Sequence, residues 1–204
     1  MTTVVVRVWM PDRPGALGQV ASRIGAVRGD VLGIEILEQG ADRVVDELTV
    51  SLPSEDIVPL LTAEIDAVDG VAVEDVRKVE PDRIDLNLSA LAAGAAMAEA
   101  ACSERVGLLC SAVQRLVEAE WAVVMRGTDV VAHVGSAPDV GWLQAFLAGS
   151  EHLSSIDEAL PSDLVWAHLL SSGLTVAAGR SGLPIHERER VRVSLLARLA
   201  DALV

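Results

Sequence analysis

The stretch Asp12-Arg13-Pro14-Gly15-Ala16-Leu17 decides the fold of the first part of this chain. It follows a valine-rich run, 4–9, that predicts a β-strand, and it precedes apolar residues that recur at helical spacing over 17–27. The motif therefore lies where a strand gives way to a helix N-terminus. Unpaired backbone N–H groups and the positive end of the helix dipole meet there, so this corner suits an anion such as a carboxylate.

The first 80 residues predict the element order βαββαβ. Alternating apolar residues predict strands over 31–38 and 44–52, a second amphipathic helix lies over 57–68, and a last strand lies over 71–79. Both crossovers carry a helix, so both helices cover one face of an antiparallel sheet, as in ferredoxin-like folds. On the first strand the opposite face presents three residues, which predict an interface with a second copy, a partner or the rest of the chain. They are Val5, Arg7 and Trp9.

A polar break at 80–83 ends the first domain, so the predicted organisation is a domain over 1–80, a linker and helix start over 81–98, and a second domain over 99–204. Helical propensity runs over 89–119. Two hairpins are predicted, around the turns 126–129 and 171–173. Helices are also predicted over 141–148 and 185–204, and a loop over 150–162. The predicted fold class is α/β (α+β), with an antiparallel sheet flanked by helices in the second domain.

Residues 3–79 resemble the ACT domain family, small ligand-binding modules attached to enzymes and regulators of amino-acid metabolism. The resemblance rests on the βαββαβ order, on the Asp12–Leu17 motif between the first strand and the first helix, and on Gly29-Asp30-Val31 just before the second strand. In that family, paired domains often bind an amino acid where this loop meets the partner domain. The resemblance therefore implies a homodimer that binds an amino acid.

The resemblance also implies which residues contact the ligand. Many members have an Asn before the second strand, where this chain has Asp30, which is either an ammonium contact or an ordinary turn residue. Asp12 is either a ligand contact or an N-cap that needs no ligand, and Gly15 allows either ligand approach or tight strand–helix packing. The implied ligand-binding residues are Asp12, Arg13, Pro14, Gly15, Ala16, Leu17, Asp30 and Val31.

Residues 100–204 resemble the GAF family, whose modules bind small ligands or serve as dimerisation units. The likeness is clearest where the strand 176–180 leads through Ser181-Gly182 into a helix rich in Glu, Arg and Leu. Arg180 is either a turn residue or an anion ligand. We expect Trp121, Trp142 and Trp166 to pack in a core or an interface rather than to form a ligand cage.

The composition excludes several partners. A formal net charge of −14 and a pI of about 4.6 repel nucleic-acid phosphates and anionic membrane surfaces. A basic n-region followed by an apolar h-region is not found at the N-terminus, and the apolar run 90–98 is too short to span a bilayer, so we expect a cytoplasmic protein. In that reducing compartment Cys102 and Cys110 are expected to be buried thiols.

The sequence offers no pattern for catalysis. The four histidines lack the spacing of metal ligands, and the serines lack a nucleophile motif. Phosphate-binding loops and dinucleotide fingerprints are likewise missing. We expect no metal site, no cofactor and no enzymatic activity.

These observations lead to one hypothesis and one alternative. The hypothesis is a non-enzymatic regulatory protein that senses a small ligand, an amino acid, at the Asp12–Leu17 loop and a dimer interface. The second domain would then supply dimerisation or another ligand site. The alternative is a protein–protein interaction module, or a regulatory subunit of an enzyme of amino-acid metabolism, that docks through the face around Trp9 and binds no ligand of its own.

Overall fold

The structure is a computed structural model that describes residues 1–40, 42–81, 83, 85–150 and 163–204. It divides into two compact units, Met1–Arg83 and Ile84–Val204. Residues 151–162 of the predicted loop lie outside the described residues. The same is true of Ala41 in the predicted turn after the second strand and of Asp82 in the predicted polar break.

The N-terminal unit has the predicted βαββαβ order, and its strands form one antiparallel sheet in the order β2-β3-β1-β4. The two helices cover one face of that sheet, which confirms the ferredoxin-like fold class. The elements are β1 (Thr2–Pro11), α1 (Ala16–Ala26), β2 (Asp30–Gln39), β3 (Arg43–Leu52), a 3₁₀ turn (Glu55–Ile57), α2 (Val58–Asp66) and β4 (Ala72–Val79).

Strict alternation along the central strands builds the core of this unit. Every second residue of β1 and β3 points to the helices, because successive strand side chains point to opposite faces. Helix α1 contributes three buried residues to this core, among them Ala16, and α2 contributes two. The core contains Val4, Val6, Val8, Met10, Val44, Leu48, Val50 and Leu52 from the sheet, and Val20, Ile24, Leu61 and Ile65 from the helices.

The C-terminal unit is an antiparallel sheet in the order β6-β5-β8-β7, flanked by helices as predicted. One face of the sheet packs against α3, α4 and α6, and the other packs against α5. The elements are α3 (Leu86–Glu99), α4 (Cys102–Leu116), β5 (Trp121–Arg126), β6 (Asp129–Gly135), α5 (Val140–Ser150), β7 (Leu164–Leu169), β8 (Leu174–Gly179) and α6 (Glu187–Asp201).

The single helix predicted over 89–119 is wrong, because the backbone becomes extended at Ala100 and Ala101 and separates α3 from α4. An unbroken helix of that length would measure about 46 Å and would leave the apolar α3 without a packing surface. The break instead places Met97 in the core. Gly94 then lies so close to α6 that an added Cβ would be 2.4 Å from Cδ2 of Leu199.

Arg180 is buried directly after β8 and joins that strand to the start of α6. Its two terminal nitrogens each donate to a carboxylate oxygen of Glu189 at 2.9 Å. The same guanidinium donates to the carbonyl oxygens of Val117, Leu183 and Pro184. Glu189 also accepts the backbone N–H of His186 at the N-terminus of α6. Arg180 is therefore committed within the fold, which excludes its alternative role as an anion ligand.

Replacing Arg180 should severely destabilise the C-terminal unit. Arg180→Met leaves the Glu189 carboxylate buried without its partner, and removing one member of a buried pair typically costs about 3–5 kcal/mol. We expect the double variant Arg180→Met/Glu189→Met to recover most of this loss, because no buried charge then remains. Urea unfolding followed by tryptophan fluorescence measures the free energy.

The matched control is Arg23→Met, which removes an arginine from the exposed pair with Glu64. It should change the free energy of unfolding by less than about 1 kcal/mol. An Arg180→Met protein as stable as the control would show that the buried pair does not hold β8 to α6.

Candidate functional site

The Asp12–Leu17 loop turns the chain from β1 into α1 through a left-handed glycine. Gly15 has φ +88° and occupies the N-cap position of α1. Upstream, the Asp12 N–H donates to the carbonyl of Asp42 at 3.0 Å. Since a side chain at positive φ is strained, glycine is required at this corner.

The N-terminus of α1 is open. Gly15 provides no capping side chain, and the N–H groups of Leu17 and Gly18 meet no acceptor among the described residues. A Cβ placed on Gly15 would have no atom within 4 Å. The tight-packing explanation for Gly15 is therefore wrong, and unpaired donors at the positive end of a helix face free space.

Asp12 does not cap the helix, so that alternative is wrong as well. Its carboxylate accepts a hydrogen bond from Nε2 of Gln39 at 3.1 Å, which joins the loop to the end of β2. Arg13 is exposed, and its guanidinium lies 3.4 Å from Oε1 of Gln19. Pro14 is exposed, whereas Ala16 is buried in the core and Leu17 packs partly against it.

A second carboxylate lies near this corner and was not among the predicted site residues. Asp46 of β3 pairs with Val8 and projects to the helix side of the sheet, between Val44 and Leu48. It is 3% exposed, and its Oδ1 atom has no hydrogen-bond partner. Burial raises the pKa of Asp46, and the nearby charge of Asp12 raises it further. The signal was present in the sequence, since residues 46, 48, 50 and 52 share one strand face.

Asp30 and Val31 lie at the opposite end of the sheet from the loop. Asp30 pairs with Ser51, which pairs with Thr3, whereas the loop follows Pro11. The eight residue steps from Thr3 to Pro11 span about 26 Å at about 3.3 Å per residue. A single copy therefore does not bring Asp30 to a ligand at the Asp12–Leu17 loop.

The face predicted to form an interface is not an open surface at two of its three residues. Val5 and Arg7 are buried and Trp9 is partly buried. Arg7 donates from two nitrogens to Oε2 of Glu47, its cross-strand neighbour. The indole N–H of Trp9 donates to Glu74 at 2.8 Å. The partner surface expected at Val5 and Arg7 is thus occupied by contacts of this chain.

Glu47 is the centre of a charged cluster on that face. Besides Arg7, its carboxylate accepts from Arg77 at 2.9 Å and from Arg83 at 3.2 Å. Burial by itself raises the pKa of Glu47, but the charges and hydrogen bonds of Arg77 and Arg7 outweigh it and lower the pKa to about 2. Ion pairs with three arginines therefore compensate the buried charge of Glu47 on this face.

The tryptophans of the C-terminal unit contact their neighbours, but Trp142 is 45% exposed and does not lie in the core. Trp121 is buried against the sheet. Phe146 of α5 stacks on Trp142 at a centroid distance of 5.4 Å and meets Trp166 edge-on at 5.1 Å. The rings therefore contact one another.

The two cysteines differ. Cys110 is buried, its thiol donates to the carbonyl of Ala122, and desolvation raises its pKa to about 11. Cys102 is exposed, so the prediction of a buried thiol is wrong there. Its position at the first residue of α4, after the unpredicted helix break, explains the exposure.

Neither a metal-binding cluster nor a membrane-spanning helix is found among the described residues. His, Cys, Asp and Glu residues in that part of the chain do not group in threes or more around a possible metal position. None of the helices described there combines the length and apolarity needed to cross a bilayer.

Comparison with known proteins gave only distant similarity. No family model and no curated protein matches the chain. Similar solved structures include an unknown protein from Galdieria sulphuraria, with 20% identity and a TM-score of 0.33 over 48% of this chain and 65% of that one. A formyltetrahydrofolate deformylase from Pseudomonas putida has 15% identity and a TM-score of 0.29. The match covers 44% of this chain and 36% of the deformylase chain. The bacteriophytochrome RpBphP3 from R. palustris has 11% identity and a TM-score of 0.40. The match covers 82% of this chain and 41% of the bacteriophytochrome chain. Each match spans less than two thirds of the other chain, and none carries a conclusion about function.

Acidification should remove stability that Glu47 contributes to the N-terminal unit. The carboxyl titrates near its usual value of 4.5 in the unfolded chain and near 2 in the folded one. Its contribution is therefore complete above about pH 4.5 and is lost as the pH falls toward 2, about 3 kcal/mol in all. Urea unfolding between pH 6 and pH 3 should show a steeper loss for the wild type than for Glu47→Gln.

Glu55→Gln serves as the control, since Glu55 pairs with Lys78 at the exposed surface. Its unfolding free energy should follow the wild type across this pH range. Parallel curves for the wild type and Glu47→Gln would contradict the role assigned to the cluster.

Proposed function

We propose that this chain is a non-enzymatic regulatory protein whose N-terminal unit binds a small carboxylate-bearing ligand, an amino acid, at the Asp12–Leu17 loop. The observation that carries the proposal is the open N-terminus of α1, where Gly15 leaves free space in front of two unpaired N–H groups. Helix N-termini with free donors bind anions readily. The ligand carboxylate would accept from the N–H groups of Leu17 and Gly18.

We also propose that two copies pair through β2. This strand is an edge of the sheet and exposes three large apolar side chains. An exposed apolar edge strand is a template for pairing with another chain. The three residues are Leu32, Ile34 and Ile36.

Pairing of β2 with a second β2 would bring together the two halves of the predicted site. An antiparallel pair along the full strand places Asp30 of one copy opposite Gln39 of the other. Gln39 donates to Asp12, so the second copy would deliver Asp30 and Val31 to the loop that lies about 26 Å from them in the same chain. The proposed ligand would then bind between copies.

Gly18 allows a direct test of the ligand site. Gly18→Pro removes the N–H at the third position of α1, a donor that has no partner in the helix. Gly18→Ala keeps the N–H donor, and its added methyl group extends into free space. In calorimetric titrations with the twenty L-amino acids, we expect the wild type and Gly18→Ala to bind at least one of them. Gly18→Pro should bind it roughly 10- to 100-fold more weakly, the loss of one hydrogen bond to a charged group.

Thermal unfolding should first show that both variants are folded. Equal affinities of Gly18→Pro and the wild type would contradict binding at the helix N-terminus. A folded wild type that responds to none of the amino acids at millimolar concentration would refute amino-acid sensing altogether.

The paired edge predicts a dimer that a single charge disrupts. Ile34→Asp places two carboxylates at the centre of the proposed contact, so the dimer dissociation constant from sedimentation equilibrium should rise at least tenfold. Leu60→Asp is the matched control, because Leu60 is 53% exposed on α2 and Ile34 is 48% exposed on β2. An unchanged dimer in Ile34→Asp would contradict the edge pairing and would favour the exposed leucines of α3 and α6 as the contact.

A further inference from the structure

A buried carboxylate without a partner lies on the helix side of β3. Asp46 is flanked along its strand by Val44 and Leu48 and across it by Val8, all of them core residues. It is 3% exposed, and Oδ1 has no hydrogen-bond partner. A group of this kind is costly, because buried carboxylates normally accept hydrogen bonds or pair with a cation.

The neighbouring acid on the same strand shows that the fold does supply partners where they serve stability. Glu47 follows Asp46 directly, points to the opposite face and accepts from three arginines. Those guanidinium groups lie on the opposite face of the sheet from Asp46. Asp46 has no such partner among the described residues, so a merely structural carboxylate does not explain it.

Topology places Asp46 beside the loop that the proposed ligand occupies. The crossover from β1 to β2 carries α1 over β3, because β3 lies between those two strands. Asp46 lies two residues inward from Val44, which pairs with Met10 near the end of β1. The Asp12 carboxylate, oriented by Gln39, is close enough that its charge raises the pKa of Asp46. Both carboxylates thus lie toward the end of the sheet at which β1 leads into α1.

The charges at this corner complement those of a zwitterionic ligand. The N–H groups of Leu17 and Gly18 suit a carboxylate, and an acidic pair beside them suits an ammonium group. A ligand with a carboxylate alone would satisfy the donors and leave Asp46 unpaired.

We infer that Asp46, together with Asp12, recognises the ammonium group of the ligand, so that the site selects α-amino acids over carboxylic acids that lack an amine. This inference rests on the proposed function of the Asp12–Leu17 loop. It adds Asp46 to Asp12 and Asp30, the two acids that the sequence offered for the ammonium contact. In the ligand-free protein the Asp46 carboxylate is desolvated without an ammonium partner, and this desolvation destabilises the fold.

The test compares each L-amino acid that binds with the 2-hydroxy acid that carries the same side chain. By calorimetry we expect the wild type to prefer the amino acid at least tenfold. Asp46→Asn should lose at least tenfold in affinity for the amino acid and keep its affinity for the hydroxy acid. Asp42→Asn, an exposed acid at the same end of the sheet, is the control and should keep the wild-type preference.

Thermal unfolding supplies an independent measurement. Asp46→Val continues the apolar row of β3, so its melting temperature without ligand should exceed that of the wild type by several degrees, while amino-acid binding is lost. A lower melting temperature together with an unchanged preference in Asp46→Asn would show that Asp46 is structural.

The outcomes separate the two proposals. A wild type that binds amino acid and hydroxy acid equally well would overturn the role of Asp46 and leave the loop site standing. A wild type that binds neither would overturn both.

Discussion

The antiparallel pairing of β1 with β3 determines the N-terminal unit. The two strands pair without interruption from Thr2 with Leu52 to Pro11 with Arg43. Because strand side chains alternate between faces, this one register sets what each residue meets. It places Arg7 against Glu47 on one face and Val8 against Asp46 on the other. A slip by one residue would bury Glu47 under the helices and expose the valines of β1.

The same register determines how far apart the two ends of the site lie. The strands of this sheet run for up to ten residues, and the crossover helix returns the chain to the far end of the sheet before β2 begins. The loop before α1 and the residues at the start of β2 are therefore separated by nearly the whole strand length. Any small ligand that contacts both must lie between two copies. A site that contains both regions therefore requires an edge-to-edge dimer.

Local patterns were enough to predict the order of elements. Valine alternation in β1, the Asp12–Leu17 corner and the helical spacing after it are properties of neighbouring residues, and they specify βαββαβ. The helix break at Ala100 is different, since it contains neither glycine nor proline and arises because α3 needs α4 and α6 to cover it. The pairing of Arg180 with Glu189 likewise depends on where β8 and α6 meet in space.

The candidate site was predictable from the sequence only where it depends on neighbouring residues. Gly15 and its neighbours are local, and their geometry agrees with the expected anion corner. The sequence left open what covers Val5 and Arg7, because their burial depends on contacts distant in sequence, such as that of Arg7 with Glu47, 40 residues away. Asp46 lay within reach of the sequence, since an acid on the face shared by Leu48, Val50 and Leu52 interrupts an otherwise apolar row.

Asp46 and Glu47 are adjacent acids of one strand that lie in opposite electrostatic environments. Both are about 97% buried, yet the pKa of Glu47 is lowered by arginines and that of Asp46 is raised by burial and by Asp12. Replacing Asp46 with an apolar residue would fill the core row and remove a desolvation cost, so stability alone would disfavour the acid. Sites that bind ligands commonly retain such costs because the ligand supplies the missing partner. In the proposed site, the ammonium group of a bound amino acid would supply the partner that Asp46 lacks.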